Sequence, residues 1–600
     1  MQNITKRIFR PVAAVAFLLA ACHSPGGTHR SLPCAGGRLA GDPPLHAQVF
    51  RHAAVAADHV IASEAGAEIL RRGGNAVDAA VAVSFALAVV RPESCGIGGG
   101  GFMIVHLKDD PRHGTMTTAI NYRETCPGGI DGEFYTRPGN DHPDAPTHGG
   151  MAVATPGTVA GLVYALEKYG TMDLGAVMAP AIRAARDGFP ADRHMVAAAR
   201  DTARWIEKDP ARRAARFGFV WNRLCGGGKL AEGDRIALPE LAETLELISR
   251  RGSGAFYFGA IAQAIAASVR ADGGPLSMAD LASYRVTETE PLTAMFAGRR
   301  FHLMPPPSSG GLAIAQTLGI LERAAPDLAA TSPRDPGAIH TTVEALKHAF
   351  ADRAMWLGDP VFVPIPMERL LSEGSLSRAA ARIDPAGTLP LDRYGTSPNA
   401  PPEASEDGGT SHFSVIDARG NAVACTETVN LGFGSMLAVE GMGFVLNNQM
   451  DDFLTRPGEP NAFGLTQSAR NLPSPGKRPL SSMSPTVVID GSTGEVVLVA
   501  GASGGPRIIT ATLQAALNTL SRGMSAEEAS REPRFHTQWS PDVLWLEPSL
   551  ATPEVAEELA RRRHVLSDKA PSAACQVILR RSGLLEAACD PRKGGSPAGY

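Results

Sequence analysis

Thr410 stands where a loop gives way to a strand. Before it runs Ser397-Pro-Asn-Ala-Pro-Pro-Glu-Ala-Ser-Glu-Asp-Gly-Gly409, which has almost nothing to pack and reads as solvated. After it come Thr410-Ser-His-Phe-Ser-Val-Ile416, a turn Asp417-Ala-Arg-Gly-Asn421, and Ala422-Val-Ala-Cys-Thr-Glu-Thr428, a β-hairpin by pattern and turn chemistry. Residues facing each other across a hairpin lie equally far from its centre, so a turn centred on Arg419 sets Thr410 opposite Thr428. A hydroxyl that opens a strand behind two glycines, with a second hydroxyl across from it, suits a chain that cuts itself between Gly409 and Thr410. Cleavage would free the α-amine of Thr410, which an N-terminal threonine can use as its own general base. For Gly-Gly-Thr alone, an ordinary β-branched residue at a strand start is the simpler reading. The rest of the chain must decide.

A second nucleophile competes. Gly501-Ala-Ser-Gly-Gly505 matches the Gly-x-Ser-x-Gly elbow in the strand–turn–helix setting that motif demands, and Ser503, Asp542 and His564 can be drawn as a triad. The same segment offers another chemistry. Two glycines before a helix that starts at Pro506 present bare backbone N–H groups to one point, an oxyanion hole made by Gly504 and Gly505. Gly96-Ile-Gly-Gly-Gly-Gly101 invites a phosphate cradle, yet a strand follows it where a helix N-terminus is needed, so it reads as a tight turn with close backbone approach. Ser474-Pro-Gly-Lys477 matches Ser-x-x-Lys only as letters, because Pro475 and Gly476 prevent the helical turn. No metal signature of paired cysteines or His-Glu-x-x-His is present. His340 and His348, at the two ends of one apolar helix, read as structural. Nothing calls for a cofactor.

Taken together, Thr410-Ser-His-Phe-Ser-Val415, Thr428-Val-Asn430, Leu446-Asn-Asn-Gln-Met-Asp-Asp-Phe453, Lys477-Arg-Pro-Leu-Ser-Ser-Met-Ser-Pro-Thr486 and Gly504-Gly505 resemble the γ-glutamyltranspeptidase family. Gly73-Gly-Asn-Ala-Val-Asp-Ala-Ala80, the Gly96 run and Asn121-Tyr-Arg-Glu124 are similar to its large-subunit motifs, and the resemblance spans about Val55 to Pro548 in one order. It implies an α+β fold, the four-layer αββα sandwich of N-terminal-nucleophile hydrolases. It implies a precursor cut into a large subunit (46–409) and a small one (410–600) that stay together as a heterodimer. The implied activity is hydrolysis and transfer of γ-glutamyl groups from glutathione and other γ-glutamyl amides, through a Thr410 ester, to water, amino acids or peptides. Matching positions assign the oxyanion hole to Gly504 and Gly505 and the substrate pocket to six further residues. Arg123, with Ser481 and Ser482, would take the α-carboxylate at one pole. Asp452, with Asn430 and Gln449, would take the α-ammonium at the other. One departure stands out: Phe463 occupies the place of a lid tyrosine in many bacterial members, keeping the cover and losing the hydroxyl. Cephalosporin-type acylases on the same scaffold, a Ser503 hydrolase and an unprocessed binding lipoprotein are the alternatives.

The elements that must position these residues alternate between apolar helical runs and short strands, an α+β mixture. Ser63 to Val90 holds two helices separated by Gly73-Gly74. Phe102–Leu107 and Thr115–Tyr122 read as paired strands, and Thr155 to Ile383 as mostly helical. Strands follow near Thr486–Ile489 and Glu495–Ala500, then a helix from Pro506 to Ser521 and another behind the capping box Ser525-Ala-Glu-Glu528. Of the residues, 44% are hydrophobic, enough for a large core, and a net charge of −4 with scattered Lys and Arg argues against nucleic acid. The N-terminus reads as a targeting segment (1–21): Lys6, Arg7 and Arg10, an apolar run, then Leu19-Ala-Ala-Cys22, which looks like a bacterial lipobox. Acylated Cys22 and a tether (22–45) would hold the protein on the envelope, facing the periplasm, and His23 favours the outer membrane. No other stretch spans a bilayer; Ala76 to Val90 is too short and carries Asp78. Of eight cysteines, Cys575 and Cys589 could close a small loop, and Cys95 and Cys126 could meet.

Overall fold

The computed structural model describes residues 45–209, 216–396, 409–465, 467–567, 569 and 573–600. The targeting segment, Cys22, all but Leu45 of the tether, and the loop Ser397–Gly408 lie outside the described residues. The fold mixes helix and sheet. Two seven-stranded antiparallel sheets form its centre. One runs in the order Ala598–Gly599, Ala54–Ala57, Thr410–Ile416, Ala422–Thr428, Gly100–Asp110, Gly114–Tyr122, Thr287–Thr289. The other runs Ala47–Phe50, Leu584–Cys589, Ala574–Arg581, Val496–Ser503, Thr486–Asp490, Arg299–Leu303, Leu292–Phe296.

The hairpin shows how the sheets are clad. Side chains alternate across a strand, and Phe413, Val415, Val423 and Cys425 join one core with helices Val60–Arg71, Ala76–Val90 and Thr158–Tyr169. Ile416, Ala422 and Ala424, on the other face, join a second core with Val487, Leu498 and helices Gly310–Ala324, Pro336–Trp356 and Arg507–Ala516. Thr410, His412 and Ser414 share this second parity and look toward the opposing sheet, where Ser414 Oγ donates to Gln576 O at 3.1 Å.

Local signals placed most elements. Helix Val60–Arg71 ends before Gly73, whose φ of +91° suits glycine. Asn75 then caps Ala76–Val90 in a capping box with Asp78. Every residue of that second helix is buried, which explains an apolar run with no polar face. Among the described residues no single helix is long and apolar enough to cross a membrane. The glycines from Gly98 to Gly101 serve close approach: a Cβ on Gly98 or Gly99 would overlap the carbonyls of Val445 and Thr428. The strand Gly100–Asp110 follows directly, and Gly99 O accepts from Gly157 N at 2.8 Å and Thr158 N at 3.0 Å at the start of helix Thr158–Tyr169.

The stretch Thr155–Ile383 is mostly helical, as expected, and also contributes strands Thr287–Thr289, Leu292–Phe296 and Arg299–Leu303 to the two sheets. Thr287–Thr289 and Leu292–Phe296 are edge strands with little buried surface, and Arg299–Leu303, one strand in, opens with two arginines, so the apolar pattern is weak. The suggested cysteine pairs do not form; Cys95, Cys126, Cys575 and Cys589 are free and buried. Gln576 pairs with Cys589 across the ladder, so Cys575 points to the other face of the sheet.

Glu427 lies on the helix-facing side of the hairpin, accepting from Ser84 Oγ at 2.5 Å and Tyr122 Oη at 2.9 Å. Burial pushes its carboxyl up to about 7 from the ordinary 4.5. The unfolded chain gives up this proton near 4.5 and the folded one holds it to about 7. The group therefore costs stability progressively as pH rises through that window, and the full cost remains above it. Glu427→Gln should match the parent near pH 4.5 and exceed it by roughly 3 kcal/mol at pH 8. The difference in Tm, followed against pH, checks it; a constant difference would contradict a buried titrating carboxyl.

Candidate active site

The ladder pairs Thr410 with Thr428, as the turn centre requires. Their hydroxyl oxygens are 3.2 Å apart. Thr428 Oγ1 donates to Gly409 O at 2.6 Å and accepts from Asn430 N at 2.7 Å. With its own proton committed to the carbonyl, Thr428 is the acceptor for the Thr410 hydroxyl. The pair thus aligns a nucleophile, a proton acceptor and a polarised carbonyl at the Gly409–Thr410 bond. Asn430 reaches this position with φ +82°, a conformation asparagine tolerates better than most residues. The Lys593 ammonium donates to Thr410 O and pairs with Asp58 at 2.6 Å, all three groups being buried. Sequence reading missed Lys593 and Asp58, since each is far along the chain and only sheet pairing brings them here.

Gly504 and Gly505 follow the strand Val496–Ser503 with φ +127° and +57°, and both border cavities that Thr410 also lines. Phe463 covers this point: a Cβ on Gly505 would lie 2.7 Å from its ring. The covering loop is tied down, because Gln538 Nε2 donates to Phe463 O at 3.3 Å and Gly464 O at 3.1 Å. Asn430 Nδ2 donates to Asn448 O at 3.1 Å. The Ser503 triad does not assemble. His564 Nε2 shares a hydrogen bond with His340 Nδ1 at 2.8 Å, and Asp542 pairs with Lys347 at 2.6 Å. His340 and His348 are both buried in helix Pro336–Trp356, and His348 Nδ1 accepts from Gly395 N. Lys477 Nζ donates to the carbonyls of Arg470 and Leu472, so it serves no serine base.

Arg123, Asn430, Gln449, Asp452, Ser481 and Ser482 do gather with Thr410, Thr428 and Gly505 around one cavity. The arrangement differs from two separate poles, since the Arg123 guanidinium pairs directly with Asp452. The physical reason lies in an α-amino acid itself: its ammonium and carboxylate hang on one carbon, so groups that match them must be neighbours. Gln449 Nε2 donates to Asp452 Oδ2 at 2.7 Å, while Gln449 Oε1 is buried with no partner, an acceptor available to an ammonium. The Ser482 hydroxyl is likewise buried and unpartnered. Asp451, pushed up to about 7 by burial and then by Asp452, accepts from Ala462 N at 3.1 Å and so holds the covering loop. Arg353 also lines the cavity and was not anticipated; the available signal was a cation on the apolar stripe Leu346, Ala349, Phe350 of its helix. The cavity measures about 20 Å³, room for one water. On its other flank, Thr410 borders an open cleft of about 420 Å³, lined among others by Glu93, His194 and Lys593.

Comparison with known proteins gives the same direction. A solved cephalosporin acylase from Bacillus halodurans superposes with a TM-score of 0.80 over 94% of this chain and 99% of that one; at 24% identity this likeness is one of fold. The crystal structure of Helicobacter pylori γ-glutamyltranspeptidase matches with a TM-score of 0.51 at 34% identity, covering 56% of this chain and 93% of that one. The glutathione hydrolase proenzyme of Escherichia coli (strain K12) is 37% identical over 590 residues, 98% of each chain. The family model for γ-glutamyltranspeptidase matches residues 62–600, and the chain belongs to that family.

Proposed function

We propose that this chain is a self-processing γ-glutamyltransferase and glutathione hydrolase. The observation that carries this reading is the contact chain from Thr410 Oγ1 through Thr428 Oγ1 to Gly409 O. In processing, Thr410 Oγ1 attacks the Gly409 carbonyl carbon; its proton passes to Thr428, whose own proton goes to the carbonyl oxygen. The C–N bond then breaks, the nitrogen takes a proton, and an ester links Gly409 to Thr410 Oγ1. Water opens that ester, leaving a large subunit ending at Gly409 and a small one beginning at Thr410. The same hydroxyl next attacks a γ-glutamyl amide, with the freed α-amine as base and the Gly504 and Gly505 amides facing the oxyanion. Water, amino acids or peptides would reach the acyl-enzyme through the open cleft. Two facing sheets with helices on their outer sides favour the four-layer αββα sandwich. Export and lipid anchoring at Cys22, facing the periplasm from the outer membrane, belong to the same reading and rest on Leu19-Ala-Ala-Cys22 and His23.

Turnover of a γ-glutamyl chromogenic amide beside a glutaryl amide, which lacks only the α-amino group, tests the substrate class. If Asp452 holds the ammonium, a charge-assisted contact worth about 1.5–3 kcal/mol is lost in Asp452→Asn. kcat/KM on the γ-glutamyl amide should fall roughly ten- to a hundredfold. Asp452 also holds Arg123, so part of the loss will be shared by both substrates; the excess on the γ-glutamyl amide measures the ammonium contact. Equal losses would assign Asp452 to Arg123 alone. A parent enzyme faster on the glutaryl amide would mark an acylase.

A further inference from the structure

The two flanks of Thr410 are built differently. Gly409 lines the open cleft of about 420 Å³ but not the small cavity. It is joined to the Thr410 nitrogen, which cleavage turns into the α-amine base, so that base faces the cleft. An amine that attacks the acyl-enzyme hands its proton to this base and therefore enters from the cleft side.

One wall of the cleft is a single helix face. His194, Ala197, Ala198, Asp201, Thr202 and Trp205 all line it, and they recur at the three- and four-residue spacing of helix Arg193–Glu207. The His194 end is held at Thr410: His194 Nδ1 donates to Glu93 Oε1 at 3.0 Å, and the Glu93 carbonyl abuts Gly409. Trp205 lies eleven residues further along that helix, about 16 Å at the rise of an α-helix. There its ring stacks on His148, with centroids 4.0 Å apart and planes 12° from parallel, and Phe217 backs it at 5.7 Å. His148 and Trp205 are both half-buried, and both line the cleft. The cations on the wall are committed elsewhere: Arg592 pairs with Glu547 and Lys593 with Asp58, each at 2.6 Å. Among the described residues lining the cleft, the aromatic shelf is therefore what can tell one acceptor from another. An extended chain advances about 3.3–3.6 Å per residue. A single amino acid with its amine at Thr410 ends short of Trp205, whereas the third side chain of a peptide reaches it.

We propose that the cleft is a subsite for peptide acceptors, in which the acceptor's α-amine sits at Thr410 and an aromatic side chain at its third residue packs on Trp205 and His148. The inference rests on the γ-glutamyl reading of the site. In transfer, the acceptor nitrogen attacks the ester carbon and forms the new amide. The bond from that carbon to Thr410 Oγ1 breaks, and the proton lost by the amine passes through the Thr410 α-amine to Oγ1.

Glutathione is the donor for the test, so that no aromatic leaving group competes for the shelf. Gly-Gly-Phe and Gly-Gly-Ala present the same attacking amine and the same C-terminal carboxylate. Each competes with water for one acyl-enzyme, and the ratio of γ-glutamyl peptide to free glutamate cancels any change in acylation. That ratio should favour Gly-Gly-Phe over Gly-Gly-Ala by roughly two- to tenfold, the range of one aromatic contact. Trp205→Ala should bring the two peptides level, and Trp205→Phe should keep part of the preference. Where Trp205→Ala does not mature, His148→Ala carries the comparison, because it removes the other ring of the stack. Equal ratios for the two peptides in the parent, or a preference that survives in both alanine variants, would overturn the assignment. A parent that releases no glutamate from glutathione would strike the function reading itself, before any acceptor is compared.

Discussion

Purified Thr410→Ala protein is expected to remain one full-length chain and to turn over no γ-glutamyl amide. Both losses follow from one atom. Thr410 Oγ1 is the hydroxyl whose proton the Thr428 oxygen can accept while Thr428 polarises Gly409 O at 2.6 Å. Alanine leaves that carbonyl polarised with nothing to attack it, and it leaves no side-chain nucleophile for a donor. Intact mass reports processing, and a γ-glutamyl anilide reports turnover. Ser503→Ala is the matched control: His564, which a Ser503 triad would need, is bonded to His340, so this variant should process normally. A Thr410→Ala chain that still splits after Gly409 would defeat the self-cleavage reading, and one that still turns over substrate would return Ser503 to consideration.

Gly505→Ala should process yet lose on the order of 10²–10³ in kcat, the range for one missing oxyanion donor. Gly505 sits at φ +57°, and an added methyl would come within 2.7 Å of Phe463 Cδ1 and 2.9 Å of Cε1. Either the ring is pushed or the peptide turns, and the amide N–H then no longer faces the carbonyl oxygen at Thr410. Processing is expected to survive because there the oxygen of Gly409 is held by Thr428. A loss below tenfold with unchanged KM would remove Gly505 from the oxyanion hole. A loss confined to KM would place its role in closure of the Phe463 loop.

Much of the fold and of this site is legible along the chain. The hairpin and its Thr410–Thr428 register needed only a strand pattern and a turn centre. The break at Gly73-Gly74, the capping box at Ser525 and the strand–glycine–helix run at Ser503 needed only local signals, since each is formed within a few residues. The strands Leu292–Phe296 and Arg299–Leu303 were lost because each is only five residues long, and the second opens with Arg299 and Arg300, so neither stands out as an apolar strand among helical runs.

The choice between Ser503 and Thr410 shows where local reading stops. The residue letters allow a triad, and only the packing of helix Pro336–Trp356 against His564 removes it. Cys575 and Cys589 look like partners by spacing, and only the ladder register sends them to opposite faces. Arg123 and Asp452 were identified by type, but their direct pairing belongs to contacts between segments hundreds of residues apart. The sequence by itself determined the hairpin, its facing hydroxyls and the residue types around the pocket, because propensity and turn chemistry act over a few residues. Tertiary structure alone decided which buried charges pair with one another. That balance depends on distances of a few ångströms between side chains that no periodicity relates.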